Sequence, residues 1–221
     1  MSKSLPPTRH LAETLRTSRG RTSASQRWLT RQINDPYVRA ARDAGWRSRA
    51  AFKLIELDER FHLLRRGARV LDLGAAPGGW SQVAARHGCT VLALDLLKID
   101  PMPGVVMLQG DFHDPDMPDR LRAALGGRPD LVLSDMAPNT TGHPATDHLR
   151  IMALADLALD FAIEVLAERG AFVAKVFQGG SERPMMDRMR RHFATVRHAK
   201  PPASRKGSSE LYVVAQGFRA S

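Results

Sequence analysis

VLDLGAAPGGWSQ occupies Val70 to Gln82 and joins a short apolar run, interrupted by one acid, to a loop of small residues. The apolar run is typical of a buried β-strand, and the residues from Gly78 to about Arg86 are typical of a helix. A strand, a glycine-rich loop and a helix in this order open many α/β sheets, and ligands bind beyond the carboxyl ends of such strands. The loop therefore predicts either a tight turn or a ligand that comes very close to the main chain.

Outside this stretch, strand and helix patterns alternate along the chain. Strands are predicted at 68–74, 90–96, 104–111, 130–135, 170–177, 195–200 and 210–218, and helices at 48–61, 78–86, 116–125, 146–168 and 182–192. This alternation predicts an α/β fold, a mostly parallel sheet with helices on both faces. The segment between the last two strands is too short for a helical crossover, so that pair is expected to be antiparallel.

The composition favours a nucleic-acid partner. The 221 residues include 33 Lys and Arg against 23 Asp and Glu, a net charge of +10, and such an excess usually indicates a polyanion or, alternatively, an anionic membrane surface. No apolar segment reaches the roughly 18 residues of a membrane span, because Asp156 and Asp160 interrupt the longest one. The single cysteine, Cys89, excludes an internal disulfide framework and a Cys-based zinc cluster, and it fits a reducing compartment.

The first 34 residues differ from the rest of the chain. They carry seven basic residues and one acid with little apolar periodicity, which predicts a flexible basic arm at 1–34 ahead of a single domain at 35–221. Three interpretations of the arm remain: an extension that grips RNA, an organelle transit peptide, or a solvated tail without a task. A transit peptide would indicate mitochondria, and otherwise the cytoplasm is expected.

Acids follow the second and third predicted strands. Asp95 is placed to accept hydrogen bonds from ribose hydroxyls, and Asp111 is placed to bind an adenine amino group. The loop lacks the G-x-G-x-x-G spacing of dinucleotide sites, because Pro77 interrupts it, and no Lys-Ser/Thr pair follows as a P-loop requires. These features favour a nucleoside without a phosphate, of which S-adenosylmethionine is the common example. The small residues expected to approach it are Gly74, Ala75, Ala76, Gly78 and Gly79.

Four charged residues stand at unusual places in these patterns. Asp135 ends an apolar strand, and Lys175 lies inside another, where a lysine loses solvation unless it has partners. Lys53 follows another basic residue by one helical turn, and Glu210 begins the last strand after a basic loop. The plainer explanations are a turn cap for Asp135 and an edge strand for Lys175. For Lys53 the plainer explanation is a pair with Glu56, and for Glu210 it is a solvated strand start.

Together these four residues suit the transfer of a methyl group to a ribose 2′-hydroxyl. That hydroxyl must lose a proton, and a lysine whose pKa has been lowered by burial and a second cation can accept it or stabilise the alkoxide. Carboxylates beside such a lysine hold its amine and orient the hydroxyl in line with the methyl group. The sulfonium of S-adenosylmethionine provides a neutral leaving group, so no metal is required.

Seven segments, taken in order, resemble the FtsJ family of ribosomal RNA ribose 2′-O-methyltransferases. They are SRAAFKLIELDERF, VLDLGAAPGGWSQVA, LALDLLKIDPMPGV, LQGDF, SDMAPNTTGHPATDH, GAFVAKVFQGG and ASRKGSSELYVVAQGF, between about Asp35 and Gly217. The resemblance implies a Rossmann-like, seven-stranded methyltransferase sheet with an antiparallel last strand and S-adenosylmethionine as donor. It implies a catalytic set formed by Lys53, Asp135, Lys175 and Glu210. The cofactor contacts are expected at Gly74, Ala76, Pro77, Gly78, Gly79, Trp80, Asp95, Leu96, Asp111, Phe112 and Asp135.

The resemblance also implies a substrate. Bacterial members of the family modify a uridine of 23S ribosomal RNA in the large ribosomal subunit, whereas related members act on tRNA anticodon loops or mRNA caps. The DMAPN and KVFQG segments favour the ribosomal branch. A non-catalytic assembly factor is a rival interpretation, against which the intact set of four residues argues. A DNA or protein methyltransferase usually carries an Asn/Asp-Pro-Pro-Tyr/Phe-like segment in place of DMAPN.

Basic residues around the predicted cleft are expected to contact RNA phosphates, which supply affinity and salt dependence but little sequence information. Trp46 is the candidate for stacking on an unpaired base, and the alternative is that it packs under the first helix. The sequence shows no apolar surface stripe, so a monomer is expected. The predicted phosphate contacts are Arg39, Arg42, Arg47, Arg49, Lys200, Arg205 and Lys206.

Overall fold

A central sheet of seven strands organises the part of the chain that the computed structural model describes, which is residues 26, 29–30, 33–138, 141–178, 183–205 and 207–220. The strands are β1 (Arg69–Leu73), β2 (Thr90–Asp95), β3 (Val105–Gln109), β4 (Leu131–Ser134), β5 (Ala171–Phe177), β6 (Phe193–Ala199) and β7 (Glu210–Phe218). Their order across the sheet is β3-β2-β1-β4-β5-β7-β6. The first five strands are parallel, and β7 runs antiparallel between β5 and β6. The predicted sheet, mostly parallel with an antiparallel last strand, is confirmed.

The order in which the chain adds strands to the sheet reverses at β1. From β1 it moves outward through β2 to β3, and it then returns to place β4 and β5 on the other side of β1. The loops that follow β1 and β4 therefore lead in opposite directions. A crevice between such loops is where ligands of open α/β sheets bind.

Helices cover both faces of the sheet. They are α1 (Pro36–Asp43), α2 (Ala50–Phe61), α3 (Gly79–Arg86), α4 (Met117–Leu125), α5 (Pro144–Val165) and α6 (Arg183–His192). The last five confirm the predicted helices, with ends displaced by a few residues. α5 stops at Val165 rather than at 168, because the Ala167 N–H leaves the helical ladder and bonds to the Pro129 carbonyl.

The sequence patterns do not predict α1, although its start carries a recognisable signal. Asp35 caps the helix, since its side chain accepts the Tyr37 N–H at 3.0 Å, and Pro36 occupies the first helical position. A helix of eight residues offers little periodicity to detect. Asp35 is buried and pairs with Arg49 Nε at 3.0 Å, so the same cap ties α1 to the start of α2.

The strands are apolar on both sides because helices pack on both faces of the sheet. Neighbouring residues of a strand point to opposite faces. Val213 therefore belongs to the cluster with α4, α5 and α6, and Val214 belongs to the cluster with α2 and α3. Leu71 and Leu133 are fully buried in these two clusters, and full burial of a leucine side chain contributes about 1.5–3 kcal/mol. This core fixes the carboxyl edge on which the functional groups stand.

No helix within the described ranges is both long and apolar enough to cross a membrane. The longest of them, α5, has 22 residues and includes Asp156 and Asp160. The predicted basic arm at 1–34 lies largely outside the described residues, so its role and its boundary with the domain at 35–221 stay predictions.

Candidate active site

Four predicted residues meet at the carboxyl edge of the sheet. Lys53 comes from α2, Asp135 follows β4, Lys175 lies on β5 and Glu210 begins β7. Lys53 Nζ lies 2.8 Å from Glu210 Oε1 and 3.9 Å from Asp135 Oδ2. Lys175 Nζ lies 3.0 Å from Asp135 Oδ1 and donates to the Asp135 backbone carbonyl at 2.7 Å. The structure brings these two lysines and two carboxylates together, and their catalytic roles stay predictions.

Three of the plainer explanations for these residues do not fit the structure. β5 is not an edge strand, since β4 and β7 flank it, and the Lys175 side chain is only 7% exposed. Glu56 accepts a hydrogen bond from the Tyr37 hydroxyl at 3.0 Å, whereas Lys53 forms its ion pair with Glu210. The Glu210 side chain is 17% exposed, so it is not a solvated strand start.

The cluster balances two positive charges against two negative ones in a largely buried setting. Lys53 and Lys175 are both buried, and buried charges are tolerated only when partners compensate their lost solvation. Burial by itself raises the pKa of Asp135, but the charges of Lys175 and Lys53 outweigh burial and hold that pKa below its usual range. Asp135 is therefore ionised at neutral pH and holds both ammonium groups.

Tyr212 stands within the cluster, and the sequence patterns do not predict it. Its hydroxyl accepts a hydrogen bond from Lys53 Nζ at 3.0 Å and donates to Asp135 Oδ1 at 2.9 Å. Burial, together with the negative charges of Asp135 and Glu210, raises the pKa of Tyr212 well above its usual value, so the hydroxyl keeps its proton. The signal that reveals it is the two-residue spacing from Glu210, which puts both side chains on one face of β7.

A cavity of about 630 Å³ opens beside this cluster, among the loops that follow β1, β2, β3 and β4. Asp135 belongs to both features, since it lines the cavity and also contacts the two lysines. Helix α5 contributes Arg150, Ala153 and Leu154 to the lining. Seven of the predicted cofactor contacts line the cavity, and they are Gly74, Ala76, Asp95, Leu96, Asp111, Phe112 and Asp135.

Asp95 and Asp111 hold fixed carboxylates in this cavity. Asp95 accepts the backbone N–H groups of Ala76 at 2.9 Å and Leu97 at 2.8 Å. Asp111 accepts the His113 backbone N–H at 2.9 Å, and this hydrogen bond is the main reason that the pKa of Asp111 is lowered. A carboxylate offers about four acceptor positions, so both retain capacity for ligand hydroxyl or amino groups. Among the described residues, no group of three or more His, Cys, Asp or Glu side chains is arranged to hold a metal ion.

Two glycines of the loop allow other segments of the chain to come close, and the contacts of both glycines with the cofactor stay predictions. A Cβ on Gly79 would stand 2.4 Å from Ser48 Oγ, so Gly79 lets α3 approach the segment that leads into α2. A Cβ on Gly78 would stand 2.4 Å from Met102 Cε in the loop after β2. These two glycines and Pro77, all predicted cofactor contacts, lie outside the cavity lining.

Trp80, another predicted cofactor contact, also lies outside the cavity lining. The side chain is buried, and its indole Nε1 donates to the Ala50 carbonyl at 2.8 Å. Its ring centroid lies 5.5 Å from that of Tyr212. The indole therefore packs against Tyr212, and the contact of Trp80 with the cofactor stays a prediction.

Gly74 is a cavity residue at which a side chain does not fit. Its φ is +74°, and a Cβ would stand 2.7 Å from the Met136 Cα, where the loops after β1 and β4 pack together. We expect Gly74→Ala to lower the free energy of unfolding by about 2–4 kcal/mol, because a backbone collision adds to the cost of a positive φ. Urea unfolding of the variant and the wild type measures this loss.

Gly67→Ala is the matched control for Gly74→Ala. Gly67 has a φ of +80°, and a Cβ there meets no atom of the described residues within 4 Å. This variant should show the φ penalty alone, about 1–2 kcal/mol. Equal losses in the two alanine variants would contradict a collision at Met136.

Asp72, the acid within β1, is fully buried. Its Oδ2 accepts a hydrogen bond from Ser81 Oγ at 2.6 Å, while its Oδ1 has no hydrogen-bond partner among the described residues. Burial raises the pKa of Asp72 to about 7, and the negative charge of Asp135 adds to this effect, against the opposing Ser81 hydrogen bond. Asp72 therefore keeps its proton in mildly acidic solution, in contrast to Asp135.

We expect Asp72→Asn to remove a pH dependence of stability. Because the folded-state pKa of Asp72 is raised, its contribution is fully present below the usual value of about 4 and is lost as the pH rises to about 7. The wild type should lose on the order of a few kcal/mol of its free energy of unfolding over this pH range, and Asp72→Asn should not. Urea unfolding of both proteins from about pH 4 to about pH 8 measures it. A difference between the two proteins that stays constant over this range would contradict the raised pKa.

Arg47 and its neighbour Trp46 make contacts within the protein, and the predicted contacts of both residues with RNA stay predictions. Arg47 donates to the Asp100 carbonyl at 2.6 Å and to the Pro101 carbonyl at 2.8 Å, so it braces the loop after β2. Trp46 packs against the core cluster of α2 and α3, and the Arg86 guanidinium lies 4.1 Å from its ring centroid. The packing alternative therefore fits Trp46 better than base stacking.

Arg49 and Lys200 also bind protein groups rather than stand free at the cleft. Arg49 pairs with Asp35 and donates to the Ala203 carbonyl at 2.5 Å. Lys200 donates to the Ser208 carbonyl at 2.6 Å. Both cations hold the segment between β6 and β7, so a contact with RNA would have to displace these bonds.

The remaining predicted phosphate contacts differ in how open they are. The Arg205 side chain is 38% exposed and reaches Asp35 at 3.5 Å. Arg42 is exposed on α1, and Arg39 is half-buried on the same helix. Lys206 lies outside the described residues. Arg42 and Arg205 therefore remain the clearest candidates for phosphate contacts.

The chain matches known proteins along most of its length. Residues 46–218 match the family described as FtsJ-like methyltransferase. A Gluconobacter oxydans protein named Ribosomal RNA large subunit methyltransferase E is 66% identical over 212 residues, which cover 96% of this chain and 79% of that protein. A protein of the same name from Granulibacter bethesdensis is 64% identical over 220 residues, which cover 98% of this chain and 96% of that protein.

A solved structure has the same architecture. The crystal structure of a ribosomal RNA methyltransferase from Plasmodium falciparum superposes on this chain with a TM-score of 0.70 at 28% identity, and the match covers 80% of this chain and 100% of that one. The family match spans the glycine loop, the cavity and the cluster from Lys53 to Glu210, and it confirms the resemblance that the sequence segments indicate. The chain belongs to the FtsJ-like methyltransferase family.

Proposed function

We propose that this protein transfers a methyl group from S-adenosylmethionine to a ribose 2′-hydroxyl, in a uridine of 23S ribosomal RNA within the large ribosomal subunit. The observation that carries the proposal is a buried cluster of two lysines and two carboxylates at the edge of a cavity lined by acids and small residues. Asp135 belongs to both, so a methyl donor in the cavity would lie next to the groups that act on the hydroxyl.

The cavity suits S-adenosylmethionine in its size and charge. Its volume of about 630 Å³ lies within the usual range of small-ligand sites. The carboxylates of Asp95, Asp111 and Asp135 favour hydroxyl, amino and sulfonium groups and disfavour a phosphate. Arg150 also lines the cavity, and its positive charge suits the carboxylate at the amino-acid end. When bound, S-adenosylmethionine supplies an electrophilic methyl group and leaves as a neutral thioether.

Lys175 is the residue proposed to act on the 2′-hydroxyl directly. An ammonium has three donors, and two of them point to the carbonyl and the carboxylate of Asp135. The third can orient the hydroxyl oxygen. As an ammonium Lys175 stabilises the developing alkoxide, and as a neutral amine the same nitrogen accepts the proton.

Lys53 and Glu210 are proposed to set the charge around Lys175. Lys53 Nζ lies 3.9 Å from Asp135 Oδ2, so Lys53 and Lys175 share the Asp135 carboxylate as a counter-charge. Glu210, at 2.8 Å, keeps Lys53 in place and compensates its charge. The Tyr212 hydroxyl joins Lys53 to Asp135 and so fixes the distance between the two pairs.

The names of the relatives favour ribosomal RNA as the acceptor. Two proteins that are 66% and 64% identical to this chain are named ribosomal RNA large subunit methyltransferases. A net charge of +10 suits a polyanionic substrate, and Arg42 and Arg205 are the proposed phosphate contacts. We propose that the protein acts as a monomer in the cytoplasm, where bacterial ribosomes assemble.

The test is methyl transfer from radiolabelled S-adenosylmethionine to large ribosomal subunits from cells that lack this protein. Digestion and mass spectrometry then distinguish a ribose-methylated uridine from a base-methylated nucleoside. Labelled 2′-O-methyluridine in 23S RNA is the expected product. Transfer to tRNA or capped RNA instead would keep the chemistry and change the substrate. Cofactor binding without transfer to any RNA would favour the assembly-factor alternative.

A further inference from the structure

The segment between β6 and β7, residues 200–209, is anchored from within the protein. Ala203 and Ser204 are buried, at 0% and 4% exposure. Glu56 Oε2 accepts the Ala203 N–H at 2.7 Å, and the Arg49 guanidinium donates to the Ala203 carbonyl at 2.5 Å. The Ala203 N–H is therefore held by Glu56 of α2, and the Ala203 carbonyl is held by Arg49, the residue before α2.

The two anchors of Ala203 are themselves held by α1. Arg49 Nε pairs with the buried Asp35 at 3.0 Å, and the Tyr37 hydroxyl donates to Glu56 Oε1 at 3.0 Å. Asp35 and Tyr37 stand at the start of α1. Therefore α1, α2 and the segment 200–209 form one hydrogen-bonded unit.

Ser204 connects this unit to the cluster of charged residues. Its N–H bonds to the Pro201 carbonyl at 2.8 Å, and its Oγ donates to Glu210 Oε1 at 2.8 Å. The same carboxylate oxygen lies 2.8 Å from Lys53 Nζ. Hydrogen bonds that involve an ionised partner are the stronger ones, so two such donors fix the orientation of the Glu210 carboxylate.

We infer that Ser204 is a positioning residue, whose hydroxyl orients the Glu210 carboxylate and thereby holds Lys53 against Asp135. Without this hydroxyl, Lys53 is the one charged donor that the described residues leave to Glu210, because the Tyr212 hydroxyl gives its single proton to Asp135, and the carboxylate can rotate about its terminal bond. Ser204 lies outside the cavity lining, so its loss acts on rate rather than on cofactor affinity. The effect on rate rests on the proposed function, whereas the effect on geometry does not.

The first test is a pair of crystal structures, of Ser204→Ala and of its matched control Ser209→Ala, an exposed serine in the same segment. In Ser204→Ala we expect the Glu210 carboxylate to move away from Lys53 while the backbone of 200–209 stays in place. In Ser209→Ala the contact should be unchanged. A Ser204→Ala structure that keeps Glu210 in hydrogen-bond contact with Lys53 would overturn the inference, whichever RNA is the substrate.

The second test is a double-mutant cycle of kcat with Ser204→Ala, Glu210→Ala and both changes. Ser204→Ala alone is expected to lower kcat about tenfold, with KM for both substrates unchanged. In the Glu210→Ala background it should cause no further loss, because Ser204 acts through Glu210. Equal losses in both backgrounds would assign Ser204 to the structure of the segment and overturn the inference. Absence of transfer by the wild type rejects the proposed function instead, and the crystal structures then decide the inference alone.

Discussion

Lys175→Met is expected to lower the rate of methyl transfer at least about a thousandfold and to leave the affinity for S-adenosylmethionine unchanged. Lys175 Nζ is the proposed contact to the reacting hydroxyl, and methionine retains the volume of its apolar stem at a buried site. Lys175 also lies outside the cavity lining, so cofactor affinity should not depend on it directly. Single-turnover rates on large ribosomal subunits and calorimetric titration with the cofactor provide the two measurements.

Lys175→Arg separates the two roles that the same nitrogen can perform. Arginine stays charged at every accessible pH, so it can stabilise an alkoxide but cannot accept a proton. An inactive arginine variant would indicate proton transfer, and a rate within about tenfold of the wild type would indicate charge stabilisation. Lys98→Met changes an exposed lysine and is the matched control, expected to retain the wild-type rate. Full activity of Lys175→Met would remove Lys175 from the chemistry.

The sheet and the cluster could be predicted from the sequence for a common physical reason. Strands covered on both faces need uninterrupted apolar runs, such as TVLALD at Thr90–Asp95, and charged residues stand out against them. Parallel strands also place their carboxyl ends at one edge of the sheet, so the sequence predicts that Asp95 and Asp135 lie at the same edge. The same logic extends to Lys175, which is an unusual residue within a strand flanked on both sides.

Tyr212 and the glycine loop show why other parts of the site could not be predicted. A tyrosine in a strand is ordinary, and only the neighbours that the fold brings to its hydroxyl, Lys53 and Asp135, give it a role. Gly78 and Gly79 indicate a close approach, but the pattern does not say whether a ligand or another segment of the chain approaches. Arg47 poses the same problem, because a basic residue beside a cleft can hold a phosphate or a carbonyl group.

Asp135→Asn is expected to lower the free energy of unfolding at neutral pH by about 3 kcal/mol. Asp135 is the carboxylate that both buried lysines share, with Lys175 Nζ at 3.0 Å and Lys53 Nζ at 3.9 Å. Asparagine removes the counter-charge and leaves Lys175 as an uncompensated buried cation, which costs about 3–5 kcal/mol. The Asp135 side chain is 18% exposed, which places the effect at the lower end of that range. Urea unfolding of the variant and the wild type measures it.

Two further variants isolate the contribution of the charge. Asp119→Asn breaks an ion pair with Arg122 in which the carboxylate is 86% exposed, and it should change stability by less than about 1 kcal/mol. Adding Lys175→Met to Asp135→Asn removes the uncompensated cation, so the double variant is expected to recover part of the lost stability. A double variant that is less stable than Asp135→Asn would show that packing around Asp135, rather than charge, causes the loss.

The difference in stability between the wild type and Asp135→Asn should also depend on pH. Although burial raises the pKa of Asp135, Lys175 and Lys53 hold it below the usual value near 4. The stabilising contribution of the carboxylate is therefore fully present above about pH 4 and is lost as the pH falls through the folded-state pKa. For Asp72, whose pKa is raised, the contribution is instead lost as the pH rises between about pH 4 and about pH 7. The two acids therefore affect the free energy of unfolding in different pH ranges. The charges of two lysines set the pKa of Asp135, whereas burial sets the pKa of Asp72.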